Sequence, residues 1–132
     1  MTAETISASE ARLLEAMLLQ WQWKTPAMRA MDVAICRLAL ARGKEPFSAN
    51  DLPDFNPGGT GITGAAFRGL LKLRVLARVG HFAGGTFYQL RVRNPGGNPI
   101  GVYRLDCGGL ARALLRAHGE RGEEFRQGEL TL

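Results

Sequence analysis

The residues able to do chemistry are few in this chain, and their spacing argues against a catalytic or metal centre. His81 and His118 stand alone, with no cysteine or carboxylate cluster around them to complete a metal set or a general acid–base pair. Cys36 and Cys107 are far apart, and neither has a second Cys or His at zinc-ligand spacing, which predicts two buried, reduced, structural thiols. No Ser-His-Asp or Cys-His pattern and no paired carboxylates stand out. The glycine-rich run from Gly58 to Gly64 lacks the lysine of a phosphate-binding loop, and no strand precedes it. The expectation is a chain that is not an enzyme and needs no cofactor or metal.

Charge is the stronger signal. The formal net charge is +5, but it is unevenly spread. Between Thr60 and His118 nine basic residues face one acid, Asp106, whereas residues 1–59 carry six basic and seven acidic groups. A concentrated cationic half is the electrostatic footprint of a polyanionic partner. The 132 residues suffice for one domain with a core, and 45% hydrophobic with 22% charged residues is a water-soluble globular composition. Charged or polar residues interrupt every apolar stretch, so no membrane span is expected. Met1 to Ser9 lacks the basic and apolar regions of a secretory signal, which makes the cytoplasm the expected location.

The elements that must carry this charge follow from caps and periodicity. Ser7 and Glu10 form a capping-box pattern ahead of Leu13, Leu14, Met17, Leu18 and Trp21, predicting a helix over about 8–22. Thr25-Pro26 opens a second helix that ends at Gly43, with Met28, Met31, Ile35, Leu38 and Ala41 along one side. Ser48 can cap a short helix that ends at Pro53. Thr60 or Thr63 can cap the next, which places Ile62, Ala66, Leu70 and Leu73 on its inner stripe. Gly64 and Gly69 within it are read as packing positions. From Val75 the pattern alternates, turns at Ala83-Gly84-Gly85 and resumes over Thr86–Arg93, predicting a hairpin; Ile100–Leu105 reads as a third strand. Gly108-Gly109 precedes a last helix with Leu110, Leu114 and Leu115 inside, which is expected to stop near Gly119. The domain is therefore read as 1–119, with 120–132 a polar, loosely ordered tail.

The order helix, short helix, glycine-bearing turn, helix, hairpin resembles the winged helix-turn-helix family of DNA-binding domains. The run from Leu70 to Gly80, followed by Gly84 to Leu90, looks like the end of a recognition helix passing into a wing. Val75-Leu76-Ala77-Arg78 and Tyr88-Gln89-Leu90 stand at the places of the family's first and second wing strands, and the resemblance covers roughly residues 27–93. Two departures are Arg74, where the family usually ends its helix on glycine, and the long Asn56–Gly61 turn. The resemblance implies an α+β fold with an additional N-terminal helix, a two- to three-stranded antiparallel wing and a C-terminal helix. It also implies double-stranded DNA as partner, for a transcriptional regulator or replication-associated protein of bacterial, phage or plasmid type.

On that reading Thr63 and Arg68 are candidates for base edges, and Thr60 and Lys72 for phosphate, because the major groove, about 12 Å wide, admits one helix. Arg74 is a further candidate contact, and the wing supplies Arg78, His81, Arg91 and Arg93. The alternatives are a winged-helix protein-interaction module in a larger assembly and an RNA-binding domain using the same basic face. The N-terminal helix, through Leu14, Leu18 and Trp21, is a possible homodimer surface, since its apolar stripe precedes the minimal unit and must be covered.

Overall fold

The computed structural model describes residues 7–52, 61–94 and 98–130, the part of the last helix from residue 120 as backbone only. The fold is α+β, with helices α1 (Ala8–Trp21), α2 (Pro26–Arg42), α3 (Ile62–Lys72) and α4 (Gly108–Leu130), a one-turn 3₁₀ helix at Ala49–Asp51, and six short strands. Local side-chain chemistry starts the first three helical segments as the caps require. Ser7 accepts from the Glu10 amide at 3.1 Å while the Glu10 carboxylate accepts from the Ser7 amide at 2.8 Å. The Thr25 hydroxyl accepts from the Met28 amide with Pro26 in the first turn, and Ser48 and Asp51 form a second reciprocal cap. α3 differs from expectation: Gly61, not Thr60 or Thr63, precedes its first turn, and it makes no side-chain cap.

α2 is the central element, packed on α3 and α4, and α4 also receives α1. Its buried face is rotated from the apolar stripe read in sequence. Arg29, Asp32, Val33, Ile35, Cys36 and Ala39 are enclosed, Met31 and Leu38 are half-buried, and Ala41 is exposed. The rotation follows from the α1–α2 corner. Asp32 Oδ2 accepts from the Trp21 indole N–H at 2.9 Å and the Lys24 ammonium at 2.8 Å, while the Arg29 guanidinium donates to the Trp21 and Lys24 carbonyls. Two charged side chains are thus drawn inside because they satisfy that corner's polar groups. Burial raises the Asp32 carboxyl above its usual range despite the opposing bonds from Lys24 and Trp21. Cys36 is buried as expected, its thiol pushed up to about 12 by burial and then by the neighbouring Asp32 charge. Cys107 is only half-buried; its thiol donates to Glu10 Oε2 at 2.6 Å and its sulfur accepts from the Leu110 amide, so it caps α4.

The strands correct the expected wing. They are β1 (Leu76–Arg78), β2 (Gly80–Ala83), β3 (Thr86–Gln89), β4 (Arg91–Val92), β5 (Ile100–Gly101) and β6 (Tyr103–Leu105), and they pair as β1–β6, β2–β3 and β4–β5, all antiparallel. Among the described residues the strands form three two-stranded sheets and not one wing sheet. Each of the three chain runs changes partner at its midpoint, where Leu90 donates to Val79, Val79 to Val102 and Val102 to Leu90 in a closed ring of backbone bonds at 2.8–3.0 Å. The predicted pairing of the run from Val75 with Thr86–Arg93 therefore holds only for Gly80–Ala83 with Thr86–Gln89. A Cβ on Gly80 would lie 2.2 Å from the Tyr88 carbonyl oxygen, so only glycine fits beside the ring. Phe47, just before the 3₁₀ helix, exchanges two backbone bonds with Tyr103 and ties the β1–β6 pair to the helical body.

Two further boundaries move. Val75 and Leu76 are both buried, so alternation begins only after them. α4 continues through Gly119 to Leu130, past the end read at Gly119, although Gly119, Gly122 and Gly128 each weaken a helix by about 1 kcal/mol.

Candidate nucleic-acid interface

α3 buries Ala66, Phe67 and Leu70 and turns Gly64, Ala65, Arg68 and Lys72 to solvent. These four recur at helical spacing and form one stripe, two very small residues followed by two cations. Neither helix glycine serves packing: a Cβ on Gly69 would meet nothing within 4 Å, and one on Gly64 would meet only the Arg68 guanidinium at 3.5 Å. The packing expectation is thereby corrected, and the exposed stripe is a place where another molecule can approach the helix backbone closely.

α3 ends on Arg74, at φ 59° the one non-glycine residue with positive φ among the described residues. The Arg74 amide donates to Leu71 and the Val75 amide to Leu70, the paired bonds of a Schellman ending, with Val75 and Leu70 both fully buried beneath it. The backbone that a terminal glycine would supply is present, and an arginine occupies it at a conformational cost of about 1 kcal/mol. Lys72 and Arg74 also line a cleft of about 690 Å³ shared with Arg12, Glu10, Asp106 and Cys107. Its mixed charge gives it no preference for an anion. The Glu10 carboxyl is held below its usual range by the bonds from Cys107 and Ser7.

No family model, curated protein or solved structure matches this chain. The site is therefore described by its own residues. Arg68, Lys72, Arg74, Arg78, Arg91 and Arg93 are all exposed, and among the described residues none forms an ion pair. His81 is exposed on β2 and stacks on Tyr88. Thr63 is half-buried, its hydroxyl 4.0 Å from Met31 Sδ at the α2–α3 contact. Thr60 lies outside the described residues. Among them no three metal-ligating side chains gather closely enough to hold an ion, and no helix is long and apolar enough to cross a membrane.

The N-terminal helix is largely used within the chain. Trp21 is fully buried, and Leu14 and Leu18 are half-buried against the same core. Leu19 and Trp23 are the exposed apolar residues at that end. Sequence reasoning also missed the exposed rings of Phe82, Phe87 and Tyr88 on the hairpin. A signal was present, because adjacent Phe87 and Tyr88 in a strand must face opposite sides, and one core can cover only one of them.

Proposed function

We propose that this chain is a winged helix-turn-helix module that binds double-stranded DNA, with α3 in the major groove and the β2–β3 hairpin as a wing. The observation that carries the reading is the solvent stripe of α3. Gly64 and Ala65 leave the helix backbone accessible, while Arg68 and Lys72 supply positive charge and, among the described residues, form no ion pair. From Gly61 to Leu105 the sequence contains seven cations and no acid, so the same sign continues from α3 along the strands. An 11-residue helix is about 16 Å long, enough to cross the groove and contact both phosphate walls. Arg68 is the base-edge candidate, with Lys72, Arg74, Arg78, Arg91 and Arg93 as phosphate contacts.

The test compares Arg68→Ala and Lys72→Ala on a duplex selected from random sequences and on an unrelated duplex. Arg68→Ala is expected to cost about 1–3 kcal/mol on the selected duplex only, and Lys72→Ala to weaken both alike. Unchanged affinity in both variants would refute the assignment of α3. A second reading, a protein-interaction module, draws on Trp23, 88% exposed, and Leu19, 61% exposed, at the end of α1. The two readings separate on Trp23→Ala, which leaves duplex affinity unchanged if DNA is the ligand of α3.

A further inference from the structure

The β2–β3 hairpin carries rings on both faces. Its register pairs His81 with Tyr88 and Phe82 with Phe87, and consecutive residues of a strand face opposite sides, so one pair lies on each face. The paired rings touch, with centroids 5.8 Å apart for His81–Tyr88 and 5.2 Å for Phe82–Phe87. Neither face is covered: Phe82 is 75% and Tyr88 52% exposed. An isolated two-stranded ribbon is marginal in water, and rings left outside the core bury apolar surface only against each other. The turn is built for a tight, projecting tip, since Gly84 at φ 57° and Gly85 at φ 82° supply the two positive φ values of a two-residue hairpin.

The charge around the ribbon narrows what can cover it. Every charged residue from Arg74 to Leu105 is an arginine, namely Arg74, Arg78, Arg91, Arg93 and Arg104. The ribbon itself, Gly80 to Gln89, carries no acid, and the charged residues nearest its base on either side are Arg78 and Arg91. A single nucleic-acid strand offers what both features require, phosphates for the arginines and flat base faces for the rings. Bases in an intact duplex present only their edges in the grooves, so rings stack on base faces at least cost where the duplex is already open.

We propose that the ribbon stacks on unpaired bases, and that the protein thereby engages junctions where duplex DNA opens into a single strand. This rests on the duplex-binding reading of α3, which holds the paired side while Phe82, Phe87 and Tyr88 hold the unpaired one. Four residues per strand give the ribbon a length of about 13 Å, close to that of four stacked bases.

The experiment measures binding of the full chain to a blunt duplex and to the same duplex with an unpaired tail carrying 2-aminopurine beside the junction. The wild-type protein is expected to bind the tailed duplex about tenfold more tightly, with a change in 2-aminopurine fluorescence. The double variant Phe82→Ala/Tyr88→Ala, whose fold is checked by circular dichroism, is expected to lose that preference, binding the tailed and the blunt duplex alike and leaving 2-aminopurine fluorescence unchanged. Equal wild-type affinity for both duplexes would overturn the junction inference and leave the α3 reading standing. Binding to neither would overturn both. A preference that survives in the double variant would remove the ribbon from the account, and so would a wild-type dimer in sedimentation that the double variant dissociates. The wild-type comparison alone decides the matter if the variant does not fold.

Discussion

Trp21 and the β2–β3 ribbon use aromatic rings in opposite ways. Trp21 is enclosed between α1, α2 and α4, its indole N–H bonded to Asp32 and its ring edge-on to His118 at 5.8 Å. Among the described residues Phe82 and Tyr88 find ring partners only across the hairpin, and both are exposed. The helical body is held by burial, whereas the ribbon is held by backbone pairing and the ring of bonds through Val79, Leu90 and Val102. Side chains that do not hold the fold are free to hold another molecule.

The comparison is broken or sharpened most strongly at its two aromatic poles. Trp21→Ala is expected to lower the unfolding free energy by about 3–5 kcal/mol in urea titrations, because it empties a closed site. Phe82→Ala should change it by less than about 0.5 kcal/mol, as surface substitutions do. Comparable losses would mean that the ribbon belongs to the core.

Gly80→Ala comes next, with an expected loss of about 1–3 kcal/mol from the collision with the Tyr88 carbonyl. Faster amide exchange at Val79, Leu90 and Val102 should accompany it if the ring of bonds anchors the ribbon. Exchange unchanged at those three amides would contradict that role.

Arg74→Gly should go the other way, stabilising the protein by about 1 kcal/mol by relieving the positive φ. Weaker duplex binding by the same variant would show why the strained residue is there. A variant that is more stable and binds as well as wild type would leave Arg74 without a functional reason.

The smallest effect concerns pH. Asp32 has a raised carboxyl in the folded protein, so the folded state holds that proton more tightly than the unfolded state. Stability attributable to Asp32 therefore falls as pH rises from about 4 through the folded-state value. Wild-type stability relative to Asp32→Asn, followed by urea unfolding at successive pH values, should decline over that window and then level. A relative stability that climbs with pH would reverse the assigned direction.

Which parts of this picture were legible in sequence follows from the range of the interactions involved. The starts at Ser7, Thr25 and Ser48 depend on contacts two or three residues away, and the inner face of α3 on a single period, so both could be read directly. The change of strand partner at Val79 depends on Leu90 and Val102, which no local pattern links to it. Asp32 sits inside because Trp21 and Lys24 on the preceding corner require an acceptor, a need invisible in the apolar periodicity of α2. At the candidate site, the charges of Arg68 and Lys72 were apparent, but the inward turn of Thr63 toward Met31 depends on how α3 lies on α2.

The most direct test of the central claim, that the cationic α3 face and strands bind duplex DNA, is the affinity of the full chain for a blunt duplex across a salt series. Binding is expected at about 50 mM salt, with the logarithm of affinity falling linearly against the logarithm of salt. The five exposed cations assigned to phosphate, Lys72, Arg74, Arg78, Arg91 and Arg93, set the expected slope at about −4.5. Absence of binding at low salt, or an affinity indifferent to salt, would contradict the account.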